Sequence, residues 1–174
     1  AAEYVAVAGE APWLSVWSAA SGQQLGFVPK AHDGLIRGLR FSPDGRRLVT
    51  SSDDHTARIW RTSDCSPLQG EARHSLPVFW SEFDPSGRWL ATASADGNAA
   101  IWSVGDSLER VQNYSHHYEV DVARFSKDGQ WVFTACLDGR LRVWRPQDGK
   151  QVAEFKPAVP MAPFTTPELS PDGR

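Results

Sequence analysis

FSPDGRRLVTSSDDHTARIWR, residues 41–61, is the first of three copies of one pattern in this chain. The second is FDPSGRWLATASADGNAAIWS from Phe83 and the third FSKDGQWVFTACLDGRLRVWR from Phe125, each 42 residues after the last and superimposable without a gap. Trp60, Trp102 and Trp144 recur at the same interval. Self-similarity at a fixed period constrains architecture more than local propensity does, because each unit has to bury its apolar faces against its neighbours. Partial copies flank the three. YVAVAGEAPWLSVWS, from Tyr4, places Trp17 43 residues before Trp60, and LSPDGR, from Leu169, begins the pattern again 44 residues after Phe125.

Inside each unit the apolar residues alternate over short runs such as Arg47-Leu48-Val49-Thr50 and Ala57-Arg58-Ile59-Trp60, and no run sustains a helical period. Such runs are strands. Asp44-Gly45, Ser86-Gly87 and Asp128-Gly129 supply the positive φ of a tight hairpin, and Asp54-His55, Asp96-Gly97 and Asp138-Gly139 mark a second hairpin in each unit. The expectation is a four-stranded antiparallel meander per unit. In the first complete one, strand a ends near Phe41, b covers about 47–52, c about 57–61 and d about 67–72. Four short strands in each 42-residue period describe a β-propeller blade, so the fold class is all-β. The units divide the chain into a partial blade over 1–28, blades over 29–72, 73–114 and 115–156, and the start of another over 157–174.

The bulk numbers exclude several function classes. Net charge is −3, and the 18 basic residues stand singly or in pairs along the chain rather than in a stripe that could track phosphates, so nucleic acid is not an expected partner. No apolar stretch approaches the length of a membrane span, and the first residues lack the order of a signal peptide. Cys65 and Cys136 lie far apart in a chain with eight tryptophans, which needs no disulfide framework. They read as free thiols, suiting a reducing, cytoplasmic setting.

The repeated residues resemble the WD-repeat family over nearly the whole chain. That family's motif couples a His before strand a, a Ser or Thr on strand b, an Asp in the b–c turn and a Trp on strand c. His32, His74 and His116 each stand nine residues before the phenylalanine of their unit. Thr50, Thr92 and Thr134 stand ten before the tryptophans Trp60, Trp102 and Trp144, and Asp54, Asp96 and Asp138 stand six before them. The chemistry allows a closed relay: the carboxylate accepts from the imidazole, the other ring nitrogen accepts from the hydroxyl, and the hydroxyl accepts from the indole N–H. Complete networks of this kind rigidify a unit, whereas each orphaned member costs about 1–3 kcal/mol. Ser52, Ser94 and Cys136, two residues beyond the threonines, share strand parity with them and are the alternative hydroxyl position; a thiol is the poorer acceptor, which favours the threonines.

The chain departs from the family pattern. Ala31, Arg73 and Ser115 stand where a Gly usually precedes the His, and Ser18, Arg61, Ser103 and Arg145 where an Asp usually follows the Trp. The first unit has Val7 and Ala11 at the Thr and Asp positions, and Pro160 falls where the last link would carry its His. Most WD propellers have seven blades, which at this period needs about 294 residues. The resemblance therefore implies that about four blades of a seven-bladed propeller are visible, a piece of a longer chain, with direct closure of four blades as the alternative.

A His–Asp–Thr set could suggest a catalytic triad, but three copies at fixed spacing match architecture better than an active site, and no unrepeated catalytic set stands beside them. Asp53-Asp54-His55 does not suit a metal, because Asp54 belongs to the turn and adjacent strand side chains point to opposite faces. His117 falls in an exposed link. No cofactor, metal or catalytic residue is expected. Trp89 and Trp131, at equivalent positions, read as inter-blade packing residues. Phe79 and Trp80 are large aromatics particular to one blade, and Phe79 is a candidate exposed anchor. Pro157 to Pro167 holds four prolines and reads as a rigid link between blades, with a polyproline ligand as the alternative.

The resemblance implies a protein-interaction scaffold or sensor module, with a protein or peptide partner held across the face where d–a links and b–c turns converge. Carried over by position, that face comprises Leu35, Arg37 and Asp53, then Pro77, Phe79 and Ala95, then Glu119, Asp121 and Leu137. These residues differ in every unit while the framework repeats. A structural spacer and, further off, a propeller enzyme or small-ligand binder are the competing readings.

Overall fold

The computed structural model describes residues 3–9 and 11–156. The proline-rich stretch, Pro160 and the start of a further unit over 157–174 lie outside the described residues. Among the described residues fifteen strands form four sheets and no helix occurs, so none is long and apolar enough to cross a membrane. The first sheet is β1 (Tyr4–Ala8), β2 (Leu14–Ser18) and β3 (Gln24–Val28). The second is β4 (Ile36–Phe41), β5 (Arg47–Ser52), β6 (Thr56–Arg61) and β7 (Ala72–Arg73). The third is β8 (Val78–Phe83), β9 (Trp89–Ser94), β10 (Asn98–Val104) and β11 (Leu108–Ser115), and the fourth β12 (Val120–Phe125), β13 (Val132–Cys136), β14 (Arg140–Trp144) and β15 (Gln151–Phe155). Each is an antiparallel meander in chain order, the arrangement of propeller blades.

The hairpins form where the chain can turn. Gly45, Gly87 and Gly129 take φ of 68°, 71° and 70° at the a–b turn, a region closed to most side chains. At the b–c turn His55 adopts φ 71° where the later units use Gly97 and Gly139.

The middle strands are buried on both faces because a sheet lies on either side of them. Leu48 joins Leu14, Val16 and Trp60 in the core between the first and second sheets, and its neighbour Val49 joins Ile59, Phe83, Leu90 and Trp102 between the second and third. Ile101, Tyr114, Phe125, Val132 and Trp144 fill the third interface. A strand with two buried faces loses the polar half of its alternation, which is why residues 48–52 and 90–94 carry only apolar and small side chains. Strand a of one sheet packs against strand a of the next, β4 on β8 and β8 on β12. A polar ladder runs along this inner row. The Arg40 guanidinium lies 4.6 Å from the Trp80 ring centre, the Trp80 indole donates to Glu82 at 3.2 Å, and Arg124 pairs with Glu82 at 3.0 Å.

Two expectations need correction. Strand d of the second sheet does not span 67–72; only Ala72–Arg73 pairs regularly, after a lone bridge between Trp60 and Pro67. Proline has no N–H for a ladder, and Cys65 and Gly70, at φ 58° and 84°, turn the chain on either side of it. Trp89 lies between the third and fourth units beside Ile101, Phe125 and Pro146, yet it is 39% exposed and does not seal that interface.

Candidate functional site

The repeated polar residues meet inside each blade. In the second sheet His32 Nδ1 donates to Asp54 Oδ2 at 2.8 Å, Thr50 Oγ1 donates to His32 Nε2 at 2.7 Å, and the Trp60 indole donates to Thr50 Oγ1 at 2.9 Å. In the third the same contacts join His74 to Asp96 at 3.1 Å, Thr92 to His74 at 2.8 Å and Trp102 to Thr92 at 2.8 Å. The carboxylates also accept from the backbone N–H of Asp33 and Ser75, which fastens each incoming link to its turn. Burial alone would raise the Asp54 carboxyl, but hydrogen bonds from Thr56, the Asp33 N–H and His32 pull it down to about 2. Asp96 is held low in the same way by His74 and the Ser75 N–H. Burial of His32 outweighs the attraction of Asp54 and lowers the imidazole pKa, keeping the ring neutral. Ser52 and Ser94 stand outside the relay: their hydroxyls accept from the N–H groups of Asp54 and Asp96 and brace the turn. Cys136 donates its thiol to the Tyr118 carbonyl.

The third set, in the fourth sheet, is built differently. Trp144 donates to Thr134 at 2.8 Å, but His116 Nδ1 accepts from Arg142 Nη1 at 2.9 Å, and Asp138 is bound by Arg142 rather than by the imidazole. His116 Nε2 is buried and meets no partner. The cause lies across the strand pair, where Thr50, Thr92 and Thr134 face Arg58, Ala100 and Arg142. Ala100 leaves the third relay undisturbed. Arg58 is drawn outward by Glu71 and the Ala31 carbonyl and comes no closer than 3.7 Å to Asp54. Arg142, anchored by Glu154 at 3.0 Å, lies between the imidazole and its acid. Burial and this cation together push His116 down to about 4. Among the described residues the first sheet has no relay, and the Trp17 indole donates instead to Ser15 at 2.7 Å.

The nine positions carried over to the link-and-turn face fall into three equivalent groups. Asp53 N–H donates to the Leu35 carbonyl, Ala95 N–H to Pro77 and Leu137 N–H to Glu119, each at 2.9 Å. Arg37, Phe79 and Asp121 are each the extra residue of a β-bulge on strand a, skipped in the pairing between Ile36 and Gly38, Val78 and Trp80, and Val120 and Val122. A bulge releases one side chain from the ladder and re-aims it. The chemistry then differs by unit. Arg37 is held in a bidentate pair with Asp53 at 2.7 and 2.8 Å. Phe79 is half-buried rather than an exposed anchor. Asp121 has a buried Oδ2 with no partner, and burial, with Glu119 beside it, raises its pKa. Leu137 and Leu35 are exposed, and sequence reasoning missed the neighbouring Tyr118, which is 62% exposed. Among the described residues no three His, Cys, Asp or Glu side chains gather in a way that could hold a metal ion.

The family model described as WD domain, G-beta repeat, matches three times, over residues 23–61, 67–103 and 108–145. Among curated proteins, Protein HIR1 of Mycosarcoma maydis is 39% identical over 62 residues, 36% of this chain and 6% of its own length. WD repeat-containing protein 86 of Homo sapiens is 55% identical over 42 residues, 22% of this chain and 11% of its own. Serine-threonine kinase receptor-associated protein of Bos taurus is 40% identical over 60 residues, 34% of this chain and 17% of its own. The similarity thus spans a small part of each relative.

Proposed function

The chain belongs to the WD-repeat family, and from that premise we propose that it is a non-catalytic interaction module that holds a protein or peptide on the face built by its d–a links and b–c turns. One observation carries this reading. The same bulge recurs in three units, and the residue it releases is a cation in one, an aromatic in the next and an acid in the third. A framework that repeats its backbone irregularity while varying the side chain presents a row of different groups from a rigid base, and loops on such a base carry recognition. The partner would lie across Arg37, Phe79 and Asp121, flanked by Leu35, Asp53, Pro77, Ala95, Glu119 and Leu137.

The test is affinity capture from a cell lysate with quantitative mass spectrometry, comparing the chain with a variant carrying Arg37→Ala, Phe79→Ala and Asp121→Ala together. Gln130→Ala, in an exposed a–b turn on the far side, is the control. The expected outcome is loss of the selectively captured proteins from the triple variant alone. Capture retained by the triple variant refutes this face, and a chain that captures nothing selectively is a spacer.

A further inference from the structure

On the opposite side of the sheets, a concavity of about 440 Å³ opens where the a–b and c–d turns of the second unit meet. Arg46, Arg47, Arg61, Thr62, Ser63 and Asp44 line it. We propose that this concavity is a binding site for a phosphate group, independent of the link-and-turn face.

Three features converge on an anion. Arg47 and Arg61 are directly opposite each other in the β5–β6 register, and like charges so placed repel unless something negative lies between or beside them. The Arg46 and Arg61 side chains make no hydrogen bond and no ion pair among the described residues, while Arg47 spends one nitrogen on the Gly87 carbonyl at 2.6 Å. Asp44 offsets only part of this charge: it lies near Arg46 and Arg47 but makes no ion pair with them, its carboxylate accepting instead from the Ser42 hydroxyl at 2.6 Å and the Arg46 N–H at 3.0 Å. Asp64, further along the c–d turn, accepts from the Ser66 N–H.

The third feature is Thr62. It is 1% exposed, its hydroxyl has no partner, and its N–H is already committed to the Arg46 carbonyl at 3.0 Å. A buried hydroxyl without a partner is costly, and a phosphate oxygen would accept its proton. Nothing in the repeat requires these residues. The equivalents of Thr62 are Val104 and Pro146, those of Arg47 are Trp89 and Trp131, and those of Arg61 are Ser103 and Arg145. The arginines stand in two places along the sequence, and only the β5–β6 hairpin brings them together. Tyr4 and Leu68 complete the wall, leaving room for an organic group esterified to the phosphate.

The experiment titrates the ¹⁵N-labelled chain at low ionic strength with inorganic phosphate and, separately, with O-phosphoserine, following amide shifts. Saturable shifts confined to Arg46, Thr62 and Ser63 are expected. The double variant Arg46→Ala, Arg61→Ala, which removes no side-chain hydrogen bond or ion pair among the described residues, should weaken binding by more than about 10-fold, and Thr62→Val by about 3- to 10-fold. Tighter binding of O-phosphoserine identifies an esterified ligand, and equal binding the free anion; both support the site. Thr62→Val should also leave unliganded stability unchanged or raised, whereas a structural role for the hydroxyl would lower it. Absence of saturable binding of either probe, or binding untouched by both variants, overturns the proposal.

Discussion

Replacing Arg142 by Ala should flatten the response of this protein to mild acid. In the unfolded chain His116 titrates near 6.5, but in the fold burial and the Arg142 guanidinium on its Nδ1 hold it down to about 4. A histidine depressed by folding contributes its full stability above the unfolded value, and that stability is lost as pH falls from 6.5 toward the folded value. Between pH 7 and pH 5 the loss from this one group is about 2 kcal/mol. His32, also depressed by its burial, adds a loss in the same direction in both proteins and cancels from their difference. Arg142→Ala copies the alanine that the third unit has at Ala100. It removes the cation from Nδ1 and leaves Asp138 facing the imidazole, so the His116 pKa rises, though burial still holds it down, and its share of the acid loss becomes smaller. His117, exposed in the link, and Glu154, released from Arg142, are the other charged groups near the ring. The assay is urea unfolding followed by tryptophan fluorescence at pH 7, 6 and 5, paired with an NMR titration of the His116 ring. Equal pH dependence in the two proteins, or a native His116 titrating near 6.5, refutes the reasoning.

The relay makes two further predictions. Thr50→Val orphans both the Trp60 indole and His32 Nε2, whereas Thr134→Val orphans only the Trp144 indole, so the first should cost about 1–3 kcal/mol more in urea unfolding. Asp54, held down to about 2 against an ordinary 3.8, contributes about 2 kcal/mol that is present above pH 4 and lost as pH falls toward 2. Asp54→Asn should remove that acid limb while leaving the loss that begins below pH 6.5.

The blades were legible because a repeat states its own boundaries. Phe41, Phe83 and Phe125 close strand a in all three complete units, and the glycines of the a–b turn take the left-handed conformation their position requires. What escaped the sequence is what depends on register. Position alone puts Arg37, Phe79 and Asp121 on the recognition face, but a period of two gives no sign of the bulge, and only the pairing reveals that each is skipped. Gly38, directly after the first bulge, was the available signal, since a glycine within a strand marks a bulge or a close approach. A Cβ there would come within 2.8 Å of the Ser51 hydroxyl. Arg142 was equally hidden. In sequence it matches Arg58, and the two differ only in which neighbours draw the guanidinium outward.

The same logic explains how the two ends can differ in chemistry from unit to unit. Inside each sheet, strands b and c are enclosed by neighbours on both sides, so a change there disturbs two interfaces at once. The turns at either end touch fewer neighbours, and the inner ladder of Arg40, Trp80, Glu82 and Arg124 holds the blades in place without drawing on them. Each end can therefore change its chemistry without disturbing the other. At one end the bulge fixes where a variable side chain emerges; at the other the Arg47–Arg61 register fixes where two charges meet. Because the second unit supplies a residue to both ends, Arg37 to one and Arg61 to the other, substitutions at the two positions should act additively on stability and separately on binding. A thermodynamic cycle on Arg37→Ala and Arg61→Ala that shows coupling beyond about 0.5 kcal/mol would mean the ends communicate through the β4–β6 sheet.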